Sequence, residues 1–403
     1  MNLLWGIFGV FVVLGIAFLL SSGKKSIKPR TILGGLAIQI TFAFMVLEWE
    51  FGRKMLLGLS NLVQNVIDYA GEGIAFVFGP AADVQGFGFV FAFQVLTIII
   101  FFSSLISVLY YLGIMQLVIK LLGGALSKLL GTSKAESISA AANIFVGQTE
   151  APLVIRPFIA GMTKSELFAV MTGGLASVAG STLAGYALLG VPLEYLLAAS
   201  FMAAPAGLIM AKMMMPETEE VEEKEFVMEK DEASVNVVDA AARGASDGLQ
   251  LALNVGAMLL AFIALIALLN GILGGIAGQF GFEGLTIQSI LGVIFAPLAW
   301  AIGVPWAEAV QAGSFIGQKL VLNEFVAYSA FAPEIANLSP KTVIVVSFAL
   351  CGFANLSSLA ILLGGLGAIA PGRRPDIARL GIRAVAAGVL ASLLSAAIAG
   401  MFV

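Results

Sequence analysis

The chain has 403 residues, of which 60% are hydrophobic and only 11% are charged. A soluble domain has about a quarter of its residues charged, so this composition excludes a soluble surface of this size and indicates an integral membrane protein. The chain has no histidine and a single cysteine, Cys351. It therefore has no intrachain disulfide, no thiolate metal cluster and no histidine for general base catalysis.

Stretches of about 20 apolar residues, long enough to cross the hydrocarbon core, recur along the chain. The first lacks a basic leader, so we interpret it as a retained helix rather than a cleaved signal peptide. The eight candidate spans are residues 2–21, 31–50, 88–113, 165–187, 193–213, 248–275, 341–365 and 379–402. Three other apolar stretches are interrupted by charge, glycine or proline: 113–133, 134–160 and 283–334.

The distribution of lysine and arginine predicts the topology, because these residues are enriched in cytoplasmic loops. Almost all of them fall on one side if the eight helices alternate and residues 134–160 enter and leave the membrane on the same side. The exceptions are Arg53, Lys54, Lys319 and Lys341. We therefore expect both termini outside and a re-entrant hairpin at 134–160.

The one soluble-looking stretch is ETEEVEEKEFVMEKDE at 217–232. Its charge run is typical of a solvated cytoplasmic linker, and a regulatory docking site is the alternative.

Two halves of the chain share an order of features. A polar-tipped segment at 143–157 precedes a helix rich in glycine and serine at 173–185, and segments 317–328 and 352–365 repeat this order. Such a repeat is typical of transporters with inverted repeats and broken helices. The predicted units are N-terminal scaffold helices with an interfacial helix (1–133), a first hairpin with a broken helix and the next span (134–213), an acidic linker (214–247), a long scaffold helix with an external interfacial helix (248–307), and a second hairpin with a broken helix and the last span (308–403).

Three motifs place polar side chains inside apolar stretches. They are GQTEAP at 147–152, GQKLVLNEFVAY at 317–328 and CGFANLSS at 351–358. Polar groups at membrane depth are costly unless they face protein or water, so they indicate a ligand site more than a packing contact. The alternatives are a polar helix contact for the first motif, a Lys319–Glu324 ion pair for the second and small-residue packing for the third.

The chemical character of these motifs narrows the ligand. They supply carboxylates, amides, hydroxyls and an aromatic ring but no basic cluster, which disfavours phosphate or carboxylate substrates. Carboxylates accept hydrogen bonds from sugar hydroxyls, amides bind a base edge, and an aromatic face packs on a ring. The motifs therefore favour a neutral polyhydroxylated or heterocyclic solute.

Together the three motifs resemble the concentrative nucleoside transporters, and the resemblance covers roughly residues 30–400. It implies an all-α polytopic protein of the bacterial branch, with eight transmembrane helices and two opposed re-entrant hairpins in an inverted-repeat transport unit on a scaffold. The implied assembly is a homotrimer in the bacterial cytoplasmic (inner) membrane. The implied function is symport of nucleosides into the cell by alternating access, coupled to sodium, with no organic cofactor. The implied partners are nucleosides, sodium and membrane lipid, and no nucleic acid.

The resemblance also implies roles for individual residues. The nucleobase would meet Gln148, Thr149 and Glu150, with Thr182 lining the base pocket and influencing the preference between purine and pyrimidine. Phe353 would pack on the base, and the ribose would meet Glu324, Asn355 and Ser358. Sodium would bind the side chains of Asn143 and Ser177 and the carbonyl groups of Val146 and Val178.

Three alternatives to sodium symport stay open at this point. The first is proton-coupled nucleoside symport, and the second is a channel for small polar solutes, which would need rings of charge or carbonyls along an open pore. The third is a membrane-embedded enzyme, whose usual nucleophile machinery is missing although two carboxylates can hydrolyse a glycosidic bond.

Overall fold

The computed structural model describes residues 2–82, 88–221, 234–281 and 284–403, and within these ranges it contains helices and no β-strand. Seven segments of the described chain are long and apolar enough to span a membrane: Asn2–Leu19, Pro29–Glu48, Phe91–Tyr111, Lys164–Leu188, Leu193–Met214, Val237–Gln279 and Pro371–Phe402. The eighth predicted span consists of two shorter apolar helices, Pro340–Leu350 and Leu356–Ile369. The predicted fold class is confirmed.

Breaks in the helices define four elements around the centre of the molecule. The first hairpin has the helix Lys134–Ala142 and a returning leg, Ala151–Ile155 with Arg156–Ile159. The second hairpin has the legs Trp306–Val321 and Glu324–Phe331, continued by Ala332–Asn337. The first broken helix is Lys164–Ala176 with Gly180–Leu188. The second broken helix is Pro340–Leu350 with Leu356–Ile369.

Three further helices do not combine the length and hydropathy of a membrane span by themselves: Glu50–Phe78, Ile114–Leu130 and Ile287–Ala301. The last of them meets the helix Trp306–Val321 of the second hairpin at an angle of 116°.

The helix Val237–Gln279 has 43 residues, which corresponds to about 65 Å at a rise of 1.5 Å per residue. It starts well before the predicted span 248–275, because Asn236 caps it by accepting a hydrogen bond from the Asp239 N–H at 2.9 Å. The last part of the predicted linker is therefore helical. Residues 222–232 of the acidic stretch lie outside the described residues.

The start and the end of each hairpin lie close together, as the two ends of a re-entrant segment must. At the first hairpin, the Lys212 ammonium lies 2.7 Å from the Glu136 carboxylate on the entering leg and donates to the Ser165 hydroxyl, beyond the returning leg, at 2.9 Å. At the second hairpin, the Ser339 N–H and hydroxyl donate to the Glu308 carboxylate at 3.1 Å and 2.8 Å. We call these two places the hairpin mouths.

The mouths lie at opposite ends of the first helix, Asn2–Leu19. At its start, Asn2 accepts a hydrogen bond from the Lys341 ammonium, two residues beyond Ser339 of the second mouth. Past its end, the Ser22 N–H donates to the Met214 carbonyl, two residues beyond Lys212 of the first mouth. The hairpins therefore enter from opposite membrane faces, as the inverted repeat predicts. Asn2 also donates to the Val403 carbonyl, so both termini lie on one side.

We expect Lys212→Met to lower the thermal stability of the protein strongly. The side chains of Lys212 and Glu136 are 8% and 2% exposed, and removing one partner of a buried pair costs about 3–5 kcal/mol. Lys54→Met is the matched control, because its partner Glu50 and Lys54 itself are both 71% exposed. Melting temperatures in detergent check this prediction, and equal shifts in the two variants would contradict it. Adding Glu136→Gln to Lys212→Met should restore part of the lost stability.

Candidate functional site

The tip of the first hairpin pairs with the gap in the first broken helix. The hairpin helix ends at Ala142, and the Phe145 carbonyl then accepts a hydrogen bond from the Gly180 N–H at 3.0 Å. Gly180 is free to donate because Ser177 has an extended backbone that ends the preceding helix. A backbone group freed by a helix break thus finds its partner in the other broken element.

The four predicted sodium ligands lie on the two sides of this junction and are all buried. Asn143 is 1% exposed and Ser177 2%, and Val146 and Val178 are 5% and 0% exposed. Asn143 and Ser177 both approach Gly173: a Cβ on this glycine would lie 3.5 Å from Asn143 Nδ2, and the Ser177 hydroxyl donates to the Gly173 carbonyl at 3.0 Å. The structure therefore brings Asn143 and Ser177 together.

The Asn143 side chain carries an unused acceptor. Its Nδ2 donates to the Ser139 carbonyl at 2.9 Å, while its Oδ1 is buried and has no donor among the described residues. A buried polar atom without a partner needs an explanation, and a bound ion is one. Carbonyl oxygens of unwound backbone and the ends of half-helices coordinate sodium in transporters of this architecture.

The polar residues after this junction point to different neighbours. Gln148 is 5% exposed, and its Oε1 also lacks a donor among the described residues. Thr149 lies against the second broken helix, where a Cβ on Gly365 would be only 2.6 Å from its Cγ2. Glu150 is exposed at the tip, and its carboxylate lies over Gly147. The tip of the first hairpin thus reaches across to the second half of the chain.

A second group of polar side chains centres on Glu324, which is 5% exposed. Its Oε1 accepts a hydrogen bond from the Tyr186 hydroxyl at 3.2 Å, and its Oε2 accepts one from Asn355 Nδ2 at 3.0 Å. The Oδ1 of Asn355 accepts the Ser358 N–H at 2.8 Å and caps the second half of the second broken helix. Glu324, Asn355 and Ser358 are therefore one connected cluster.

Phe353 connects this cluster to the sodium-ligand candidates. Its N–H donates to the Ser177 carbonyl at 3.0 Å, and its own carbonyl accepts the Asn355 N–H at 2.9 Å. The two broken helices cross here closely, since a Cβ on Gly352 would lie 2.9 Å from the Ala176 carbonyl oxygen. Only glycine fits at this crossing.

Thr182 lies on the second half of the first broken helix, one turn before Tyr186. It is 1% exposed, and its hydroxyl donates to the Ala179 carbonyl at 2.8 Å. This hydrogen bond holds the hydroxyl against its own helix, so the methyl group is the part that is free to contact a ligand.

The sequence motifs do not predict the roles that Tyr186 and Lys319 have near this cluster. Tyr186, a fully buried partner of Glu324, had a weak signal: it follows Thr182 by four residues and so shares its helical face. Lys319 was considered as an ion-pair partner of Glu324. Instead it donates to the Ala349 carbonyl and the Ser392 hydroxyl, and no carboxylate of the described residues lies within 4.0 Å of its ammonium.

We expect Tyr186→Phe to raise the KM for uptake of the nucleoside substrate that the resemblance implies about 2- to 10-fold, because one hydrogen bond contributes about 0.5–1.5 kcal/mol. Tyr328→Phe is the matched control. Tyr328 stacks on Tyr186 with ring centroids 4.5 Å apart, but its hydroxyl donates to the Ser347 carbonyl rather than to Glu324. Uptake kinetics in proteoliposomes measure both variants, and an unchanged KM in Tyr186→Phe would show that this tyrosine does not position Glu324.

The geometry defines a class of protein. Two hairpins that enter from opposite faces meet two broken helices, and buried carboxylate, amide and hydroxyl groups line the junction. This arrangement is typical of membrane carriers, in which a central site alternates between the two sides.

Comparison with known proteins identifies the family. Residues 8–81 and 195–400 match the N-terminal and C-terminal models of the Na+ dependent nucleoside transporter, and residues 92–193 match the nucleoside recognition gate. The chain therefore belongs to the concentrative nucleoside transporter family. It is a nucleoside transporter and not an enzyme.

Individual relatives are similar over their whole length. The chain is 64% identical over 405 residues to the uncharacterized transporter YutK of Bacillus subtilis, covering 100% of both chains. It is 52% identical over 410 residues to the nucleoside permease NupC of Helicobacter pylori, covering 99% of this chain and 98% of the relative. The solved structure of CNTnw in an inward-facing substrate-bound state is similar with a TM-score of 0.95 and 58% identity, covering 100% of this chain and 98% of that one.

Proposed function

We propose that this protein carries nucleosides into the cell together with sodium by alternating access. The observation that carries the sodium assignment is the buried Asn143 Oδ1, which has no donor among the described residues. A sodium ion would complete its coordination with Ser177 and the carbonyl oxygens of Val146 and Val178. The family description as Na+ dependent supports this choice.

The alternative ion is a proton, for which Glu324 would be the carrier. Both of its oxygens accept hydrogen bonds, from Tyr186 and Asn355, and this arrangement suits an ionised carboxylate. We therefore propose sodium as the coupling ion and Glu324 as a hydrogen-bond acceptor at the substrate site.

The proposed substrate contacts follow from the two polar groups. Glu324, Asn355 and Ser358 offer acceptors and donors for the ribose hydroxyls. Gln148 has a free Oε1 for a donor on the base edge, next to Thr149 and Glu150 at the tip. Phe353 is half-buried and provides a ring for stacking, and the Thr182 methyl group closes the base pocket.

Ser177 provides a physical link between the two ligands. Its side chain is a proposed sodium ligand, and its carbonyl accepts the N–H of Phe353, the proposed base platform. Sodium bound at Ser177 would fix the backbone that holds Phe353, so each ligand would raise the affinity for the other by the same factor. The membrane potential would add about 2.3 kcal/mol per charge per 100 mV to the sodium gradient.

The remaining assignments concern the assembly and its orientation. We propose a homotrimer in the bacterial cytoplasmic membrane with both termini outside. On the helix Val237–Gln279, Leu260 is 76% and Leu268 60% exposed in the single chain, a surface that lipid or a neighbouring subunit can cover. Chemical crosslinking of the purified protein tests the trimer, and a terminal tag accessible only from outside tests the orientation.

Radiolabelled uridine uptake into proteoliposomes tests the function, with an inward sodium gradient, an inward proton gradient or neither. We expect accumulation only with sodium. Accumulation driven by protons would support nucleoside transport but would contradict the proposed sodium site. Absence of uptake for both uridine and adenosine by correctly assembled protein would contradict the proposed substrate class.

A further inference from the structure

Lys319 is a buried cation that the proposed transport cycle does not use. It is 1% exposed, and its ammonium donates to the Ala349 carbonyl at 2.8 Å and to the Ser392 hydroxyl at 3.1 Å. No carboxylate of the described residues lies within 4.0 Å of it. A charge at membrane depth is costly, and such residues usually have a functional role.

The ammonium lies at the end of a half-helix. Ala349 belongs to the last turn of Pro340–Leu350, just before the break of the second broken helix. The last carbonyl groups of a helix lack partners within it and form the negative end of its dipole, so they attract cations. Ser392 lies beside the same break, with its hydroxyl 3.3 Å from the Cys351 carbonyl oxygen.

The corresponding place in the first repeat is the proposed sodium site. There the half-helix Lys164–Ala176 ends at Ser177, whose hydroxyl donates to the Gly173 carbonyl, and the hairpin residue Asn143 approaches the same glycine. In the second repeat the half-helix Pro340–Leu350 also ends against a hairpin residue, Lys319. Here the serine hydroxyl, that of Ser392, comes from the last helix, Arg374–Ala399, and the second hairpin supplies a positive charge where the first supplies an oxygen.

We infer that the Lys319 ammonium is a fixed cation that occupies, in the second repeat, the place that sodium takes in the first. This inference rests on the proposed sodium symport. Lys319 binds the end of this half-helix and not Glu324, so its positive charge is already present in the transport unit before any ion binds. Without the ammonium, the oxygens of Ala349 and Ser392 become a second sodium site.

Counting bound sodium tests this role without requiring transport. Equilibrium dialysis with radioactive sodium is carried out on the purified full-length protein in detergent with saturating uridine. Lys319→Gln, which replaces the ammonium by an oxygen-bearing group, should bind one sodium more than the wild type. Lys319→Arg keeps the charge and should bind the same number as the wild type.

Two outcomes would overturn the inference. One is an unchanged sodium count in folded Lys319→Gln. The other is a Lys319→Gln protein that aggregates even in saturating sodium, since free sodium should then replace the lost charge.

The same sodium-binding measurements distinguish a failure of the proposed sodium symport from a failure of this inference. Wild-type protein that binds no sodium, or Asn143→Leu protein that binds as much as the wild type, would contradict the sodium site in the first repeat. The gain in Lys319→Gln is a difference between two variants and stays measurable in either case.

Discussion

Glu324→Gln should lower the initial rate of nucleoside uptake at low substrate concentration about 10- to 100-fold. A hydrogen bond to a charged group contributes about 1.5–3 kcal/mol, and each 1.4 kcal/mol is a factor of ten. The carboxylate accepts from Tyr186 and Asn355 at the same time. The amide has one acceptor, so its NH2 group would face one of these donors, and the proposed charged acceptor for the ribose would be lost.

The matched control for this change is Glu334→Gln on the same hairpin. Glu334 lies near the hairpin mouth, where its Oε2 accepts from Gln311 at 3.1 Å, at the far end of this hairpin from the helix breaks. We expect uptake close to wild type in this variant. Uptake is measured with radiolabelled uridine in proteoliposomes, and size-exclusion chromatography checks assembly. Wild-type uptake by Glu324→Gln would remove this residue from the proposed site.

Asn143→Leu should raise the sodium concentration for half-maximal uptake about 10- to 100-fold. Leucine has nearly the shape of asparagine but no oxygen, so the buried Oδ1 is lost as a ligand to the charged ion. We take the loss as about 1.5–3 kcal/mol, by analogy with a hydrogen bond to a charged group. The sodium dependence of uridine uptake at fixed membrane potential measures this shift.

Asn143→Asp distinguishes the effect of losing the Oδ1 oxygen from the effect of losing the Nδ2 donor. Both variants lose the Nδ2 donor that binds the Ser139 carbonyl, but the aspartate keeps an oxygen at the position of Oδ1. We expect Asn143→Asp to keep sodium-dependent uptake with an affinity at least equal to that of the wild type. Equal losses in the two variants would mean that the capping hydrogen bond, and not sodium coordination, explains the effect.

Most of the membrane architecture could be predicted from the sequence because it depends on local composition. Apolar length identified the spans, and polar residues within apolar stretches identified both hairpins and both broken helices. An interfacial helix was predicted within residues 1–133, but the bounds of the amphipathic helix Glu50–Phe78 were not, because its apolar residues are interrupted by charge and amide groups and do not form a continuous span. The start of the long helix at Val237 was missed because hydropathy does not detect a capped helix outside the membrane.

The site residues were predicted by their chemistry and by family resemblance, but their connections were not. Nothing in the local pattern shows that Tyr186 donates to Glu324, which lies 138 positions away. The same holds for the hydrogen bond between Phe353 and Ser177, which links the two halves.

The sequence by itself determined that this protein spans the membrane, that its polar groups lie at two hairpins and two helix breaks, and that its motifs are those of a nucleoside transporter. The tertiary structure decided which polar groups meet. It closed each hairpin mouth through Lys212 and Glu308, left Asn143 Oδ1 without a donor among the described residues, and placed Lys319 against Ala349 rather than Glu324. The physical reason is that hydropathy depends on neighbours in the chain, whereas partners at membrane depth depend on how distant helices pack.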